Sequence, residues 1–161
     1  MITTRELEVT GEQDRWFGGD GKEYTYSQVL EYLQGTVPDE VHIGSDSHLI
    51  RGVVVFASAI CVFKEGVGNR YFIRREKHKV FPTLRMRLHK EVFSSVHIAN
   101  SLKETFPEMS LFVHADLNPN PVHRSNSCFK ELTNYIKAMG FDFYIKPDAW
   151  ASCSVADKHA K

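Results

Sequence analysis

Cysteine is scarce in this 161-residue chain: Cys61, Cys128 and Cys153 are three, far apart, and none belongs to a Cys-x-x-Cys pair. An odd, scattered set excludes a disulfide framework and a structural zinc knuckle. Long apolar runs are also missing, and none approaches the roughly 20 residues a membrane span needs. Met1 to Val9 is polar and acidic, so no secretory signal is expected, and the expected location is cytoplasmic. No Gly-x-x-x-x-Gly-Lys-[Ser/Thr] or Gly-x-Gly-x-x-Gly stretch is present, which leaves nucleotide-binding folds without their phosphate loop. There is no His-Glu-x-x-His to turn the eight histidines into a zinc site. Nor is there a Gly-x-Ser-x-Gly elbow to present a serine nucleophile.

What is present is the composition of a folded domain, 42% hydrophobic and 25% charged. The net charge of zero conceals a gradient. Residues 1–40 carry nine acids against Arg5, Arg15 and Lys22, so the remainder is correspondingly basic. Much of that excess falls between Arg70 and Lys90, where Arg70, Arg74, Arg75, Lys77, Lys79, Arg85, Arg87 and Lys90 face only Glu76. Such a stripe suits a phosphate-rich partner, although it also suits a solvated strand and helix face.

Hydrophobic period divides the chain into elements. Residues 1–24 end in the turn-rich Trp16-Phe17-Gly18-Gly19-Asp20-Gly21 and read as an N-terminal extension, leaving 25–161 as the domain. Thr25 and Gln28 form a capping box that opens a short helix over 27–34. Val41 to Gly44 reads as a strand ending in Ser45-Asp46-Ser47. The β-branched run from Gly52 to Phe63 and the segment from Arg70 to Arg75 complete an antiparallel meander. From Leu84 to Phe106 the period turns helical, with Leu84, Leu88, Val92, Ala99, Leu102 and Phe106 on one stripe. Leu111 to Ala115 is a strand ending in Asp116. Ser125 or Asn126 is placed to cap a helix to Met139, Phe141 to Ile145 is a fifth strand, and a last helix begins near Ser152 or Ser154. The order β-β-β-α-β-α-β-α predicts an α/β domain in three layers, with a five-stranded mixed sheet.

Two acids fall at strand ends in that topology, Asp46 after the first strand and Asp116 after the fourth. Ligands of open α/β sheets bind at such ends, and these two strands are expected to be neighbours. Glu91 lies about 20° from Leu84 and Leu102 on the helical wheel, on the shoulder of the buried stripe. Asp157 is early in the last helix. Four carboxylates from separate elements would then converge. Crowded carboxylates repel unless a cation neutralises them, and oxygen donors suit Mg²⁺ or Mn²⁺. Two such ions serve phosphodiester hydrolysis. Taken singly, each acid has a plainer reading as a turn, cap or helix-shoulder residue, and Asp148 rivals Asp157 as the fourth member. His48 and His159 sit two residues from Asp46 and Asp157, where a surface role competes with assistance to the site. Trp16, Tyr71, Phe81 and Trp150 are either core residues or base-stacking platforms.

The order of elements, with Asp46, Glu91, Asp116 and Asp157, resembles the ribonuclease H-like superfamily. Ile43-Gly44-Ser45-Asp46-Ser47, His114-Ala115-Asp116 with Pro119-Asn120, Lys146-Pro147-Asp148-Ala149 and Val155-Ala156-Asp157-Lys158 are more narrowly similar to the YkuK family of RNase H-like nucleases. The resemblance covers roughly residues 25–161. It implies a metal-dependent nuclease in which Asp46 and Asp116 bridge or flank two ions, Glu91 holds the second and Asp157 the first. Arg85, Arg87 and Lys90, near Glu91, are the expected phosphate contacts, and the partner is RNA, DNA or a hybrid. Two other readings stand beside it. One is a non-catalytic nucleic-acid-binding or scaffold domain with the same fold, and the other is a hydrolase of small phosphates.

Overall fold

The computed structural model describes residues 15–79 and 83–160. Its sheet has seven strands: β1 (Trp16–Gly18), β2 (Glu23–Tyr24), β3 (Glu40–Ile50), β4 (Val53–Lys64), β5 (Gly68–His78), β6 (Leu111–His114) and β7 (Asp142–Tyr144). The spatial order is β2-β1-β5-β4-β3-β6-β7, with β3, β6 and β7 parallel and the other pairings antiparallel. The mixed α/β architecture agrees with expectation, but the expected five strands become seven. The difference is the small hairpin of β1 and β2, which adds to the edge of β5 through Phe17 opposite Ile73. Strands of three and two residues are too short to carry a period. What fixes this hairpin is burial of Trp16, 1% exposed, against Tyr26 and beneath the Arg74 guanidinium.

Helix α1 (Tyr26–Thr36) opens on the expected capping box: Gln28 N donates to Thr25 Oγ1, and Thr25 N to the Gln28 side chain. Helix α2 (Leu84–Thr105) spans about 33 Å. It is capped by Thr83, whose hydroxyl accepts from Met86 N. Leu88, Val92, Ala99 and Leu102 are buried along it, whereas Leu84 at its first residue is 40% exposed, off the stripe assigned to it. A 3₁₀ segment, Arg124–Cys128, leads into α3 (Phe129–Ala138). Asn126 does not cap that helix; its amide donates to the Asn118 and Pro119 carbonyls and closes the preceding loop. The C-terminal segment is a π-helical stretch, Ala151–Ala156, followed by α4 (Asp157–Ala160). Among the described residues no helix is long and apolar enough to cross a membrane.

Strand register sorts the side chains into two layers. On one face, Val41, Ile43, Ser45 and Ser47 of β3 lie beside Val62, Ile60, Ser58 and Phe56 of β4. This face packs against the helices, and its main core includes Val29, Leu33, Val92, Ala99, Leu132 and Ile136. On the other face, Gly44 and Asp46 lie between His42 and His48. There the C-terminal segment forms a second, alanine-rich core with Ala57, Ala59, Ile73, Ala151, Ala156 and Ala160. Gly44 makes this contact possible, because a Cβ there would lie 2.5 Å from Ser152 N and 2.6 Å from Ala151 C. β3 and β4 are joined through Arg51 (φ 49°) and Gly52 (φ 78°), the two left-handed residues of a tight hairpin turn.

Candidate metal centre

β3 does not stop before Ser45. It runs eleven residues to Ile50 because β4 pairs with it along its whole length. Asp46 is therefore inside the strand rather than at its end. What ends at Gly44, opposite His114, is the parallel pairing with β6. Beyond that pair the two strands part, and Asp46 and Asp116 each stand two residues past it. An interval of two returns a strand to the same face, so both carboxylates enter the same opening.

The four predicted acids come together around that opening. Asp46 and Glu91 are buried, at 7% and 6% exposed, while Asp116 and Asp157 are partly open to solvent. Burial raises the Asp46 carboxyl to about 8, helped by its hydrogen bond with Asp157 and by the Asp116 charge. Glu91 is raised well above the usual carboxylate range, first by burial and then by the charges of Asp46 and Asp116. These are the marks of like charges crowded into a low-dielectric site. Without a cation, the cluster holds protons near neutral pH.

Glu91 reaches the cluster from the helical side. Ser47 Oγ donates to Glu91 Oε1 at 2.5 Å and accepts from Arg87 Nε at 3.1 Å, while Arg87 Nη2 donates to the Ser47 carbonyl at 2.8 Å. Arg87, expected at phosphate, is thus engaged with the backbone beside Asp46. Arg85 pairs with Glu131 at 2.6 Å, and Lys90 with Glu76 at 3.4 Å.

Two basic side chains lie against the acids themselves. His48 Nε2 is 2.6 Å from Asp157 Oδ1 and 3.4 Å from Asp46 Oδ2. Lys146 Nζ is 2.8 Å from Asp116 Oδ1, a contact that raises the lysine's affinity for its proton. Cys153 Sγ donates to the same Asp116 oxygen at 3.4 Å, and burial together with that carboxylate pushes the thiol up to about 12. Sequence reasoning gave His48 no place of its own among the ligands, although its spacing of two from Asp46 on a strand was the available signal. Lys146 and Cys153 carried no local signal, since the fold alone brings them to Asp116.

The remaining candidates fall elsewhere. Asp148 is exposed and lines a separate cavity of about 830 Å³ with Glu40, His42, Tyr144 and Trp150, so Asp157 is the acid beside Asp46. His159 Nε2 meets the Tyr71 hydroxyl at 3.2 Å. Trp16 is core, Trp150 is 43% exposed, and Phe81 lies outside the described residues. Within the cavity wall, His42 Nδ1 and His114 Nε2 are 2.8 Å apart, with Glu40 on the far nitrogen of His42 at 2.9 Å. Ala151 N donates to His114 Nδ1, so His114 donates to His42, and His42 to Glu40. Burial lowers His114 to about 3 and keeps it neutral.

The donor set fits a divalent cation. Asp46, His48 and Asp157 each offer one ligand atom, all within 4.8 Å of one another, and the carboxylates of Asp116 and Glu91 are adjacent. Comparison with curated proteins and with solved structures returns no match. The family model described as ribonuclease H-like matches residues 25–161. Spanning most of the chain, that match shows that the protein belongs to the ribonuclease H-like family, the YkuK family that its motifs resemble.

Proposed function

We propose that this protein is a divalent-metal-dependent nuclease of the cytoplasm that hydrolyses phosphodiester bonds in nucleic acid. The observation that carries the reading is the convergence of carboxylates from β3, α2, the end of β6 and α4 in a chain of this family. Asp46 and Asp116 would help to hold two ions, Mg²⁺ or Mn²⁺, with Asp157 serving the first and Glu91 the second. Ions held there would supply activation of a water nucleophile and stabilisation of charge on the phosphate oxygens. Arg87 and Ser47 position Glu91. Arg85 contacts phosphate by exchanging Glu131 for it; that exposed pair is worth at most about 1 kcal/mol, so the exchange is easy, and Lys90 does the same from its half-buried pair with Glu76. Lys146, released from Asp116 when a cation binds, is a further positive group at the mouth of the site.

A second reading is favoured by one observation. His48 and Lys146 already occupy Asp157 and Asp116 without metal, as in a domain that binds nucleic acid and does not cut it. Cleavage of labelled RNA, DNA and hybrid with Mn²⁺, by the wild type and by Asp46→Asn/Asp116→Asn, separates the two. The nuclease reading expects metal-dependent cleavage that the double variant loses while retaining binding. Salt-dependent binding without cleavage on every substrate supports the binder. Turnover of phosphate monoesters alone would point to a small-phosphate hydrolase.

A further inference from the structure

The two halves of the acidic cluster differ in donor chemistry. Around Glu91 and Asp116 the ligating groups are carboxylate oxygens; beside them stand Lys146, which has no lone pair to offer a metal, and the Cys153 thiol, which donates to Asp116 Oδ1. Around Asp46 and Asp157 the neighbouring side chain is His48, whose imidazole nitrogen can serve as a metal ligand. His48 and Asp46 are two apart on one face of β3, opposite Val55 and Ala57 of β4. Those neighbours are apolar, so β4 gives the ring no side-chain partner. Its Nε2 instead lies between two carboxylates, 2.6 Å from Asp157 and 3.4 Å from Asp46. Ligand atoms around an octahedral ion lie roughly 3 Å apart when adjacent and about 4.3 Å apart when opposite. The group's span of at most 4.8 Å accommodates that, with the short hydrogen bond opening as the ion replaces the proton.

We infer that His48 Nε2 ligates the ion held by Asp46 and Asp157, so that this position takes a first-row transition-metal ion, such as Mn²⁺, ahead of Mg²⁺. The inference rests on the metal-centre reading above and refines it: the position beside His48 contains nitrogen and selects transition metals, while the carboxylate oxygens of Glu91 and Asp116 suit Mg²⁺. The physical basis is that Mg²⁺ favours oxygen ligands and keeps its waters, whereas imidazole binds more strongly along the series from Mn²⁺ onward.

The test uses the full chain stripped of metal and loaded with Mn²⁺ alone. Pulsed electron paramagnetic resonance reads nitrogen coupled to the Mn²⁺ electron spin. The expected result is an imidazole ¹⁴N modulation that becomes a ¹⁵N pattern in protein made with ¹⁵N-histidine, a readout that needs no variant. In His48→Gln the modulation should vanish. Calorimetry should show Mn²⁺ affinity falling about tenfold or more, with Mg²⁺ affinity changed less than about twofold. Mn²⁺ bound without histidine coupling would overturn the inference and leave the metal centre standing. So would coupling that survives in His48→Gln, or a Mn²⁺-over-Mg²⁺ preference that the substitution leaves unchanged. Wild type that binds no Mn²⁺ overturns both the inference and the centre beneath it.

Discussion

Asp46→Asn should stabilise the metal-free protein, and more so as pH rises. The carboxyl goes from an ordinary 3.8 to about 8 on folding. Between those values the folded state binds the proton and the unfolded state does not, so stability falls with pH by up to about 1.4 kcal/mol per pH unit. At pH 7 the accumulated cost is on the order of 4 kcal/mol. Asp157 shares that proton, so removing one carboxylate recovers part of the cost, about 2–4 kcal/mol. Asparagine keeps the shape, and its amide can donate to Asp157 where the protonated acid did. With an unfolding entropy of about 2.1 cal/mol/K per residue, the gain corresponds to roughly 6–12 °C in melting temperature at pH 7. Thermal melts in EDTA from pH 4 to pH 9 provide the assay. The two proteins should converge near pH 4 and separate steadily up to about pH 8, then run parallel. Coincident melting temperatures at pH 8, or a less stable variant there, would refute the argument that like charge is forced together in this cluster.

Three further outcomes follow from separate contacts. Gly44→Ala places a Cβ within 2.6 Å of the backbone of the C-terminal segment that carries Asp157, so it should cost about 1–3 kcal/mol and weaken Mn²⁺ binding at the same time, both readable by thermal shift with and without the ion. Arg87→Ala removes the guanidinium from Ser47 Oγ and the Ser47 carbonyl; it should cost about 1–2 kcal/mol, and Arg87→Lys should not restore the paired contact in thermal melts. His114, lowered to about 3, stays neutral in the fold, so stability should fall with pH below about 6.5 at up to about 1.4 kcal/mol per unit. In wild type the Asp46 proton opposes that trend, so the slope is best measured by denaturant titration in the Asp46→Asn background, where it should steepen.

Much of this architecture was legible because it is written in local chemistry. The Thr25–Gln28 box announces α1, the wheel of α2 puts Glu91 beside the buried stripe, and the adjacency of β3 and β6 follows from the crossover through α2. Other features were not legible, for identifiable reasons. The β1–β2 hairpin is held by one buried tryptophan rather than by a pattern. β3 continues through Ser45, Asp46, Ser47 and His48, which look like a polar turn. In fact Ser45 bonds Ser58 and Ser95, Ser47 bonds Glu91, and His48 bonds Asp157. Polar residues satisfied across layers leave no apolar alternation to read. Lys146 and Cys153 meet Asp116 only after the chain has crossed through α3 and β7, a long-range contact that no spacing encodes.

The most direct test of the account is a calorimetric titration of Mn²⁺ into the metal-stripped wild type and Asp46→Asn/Asp116→Asn. Four carboxylates brought from separate elements into one centre should give saturable binding in the wild type. That binding should be lost in the double variant. Equal binding by the two proteins, or none by the wild type, would contradict the central claim that these acids form a single divalent-cation centre.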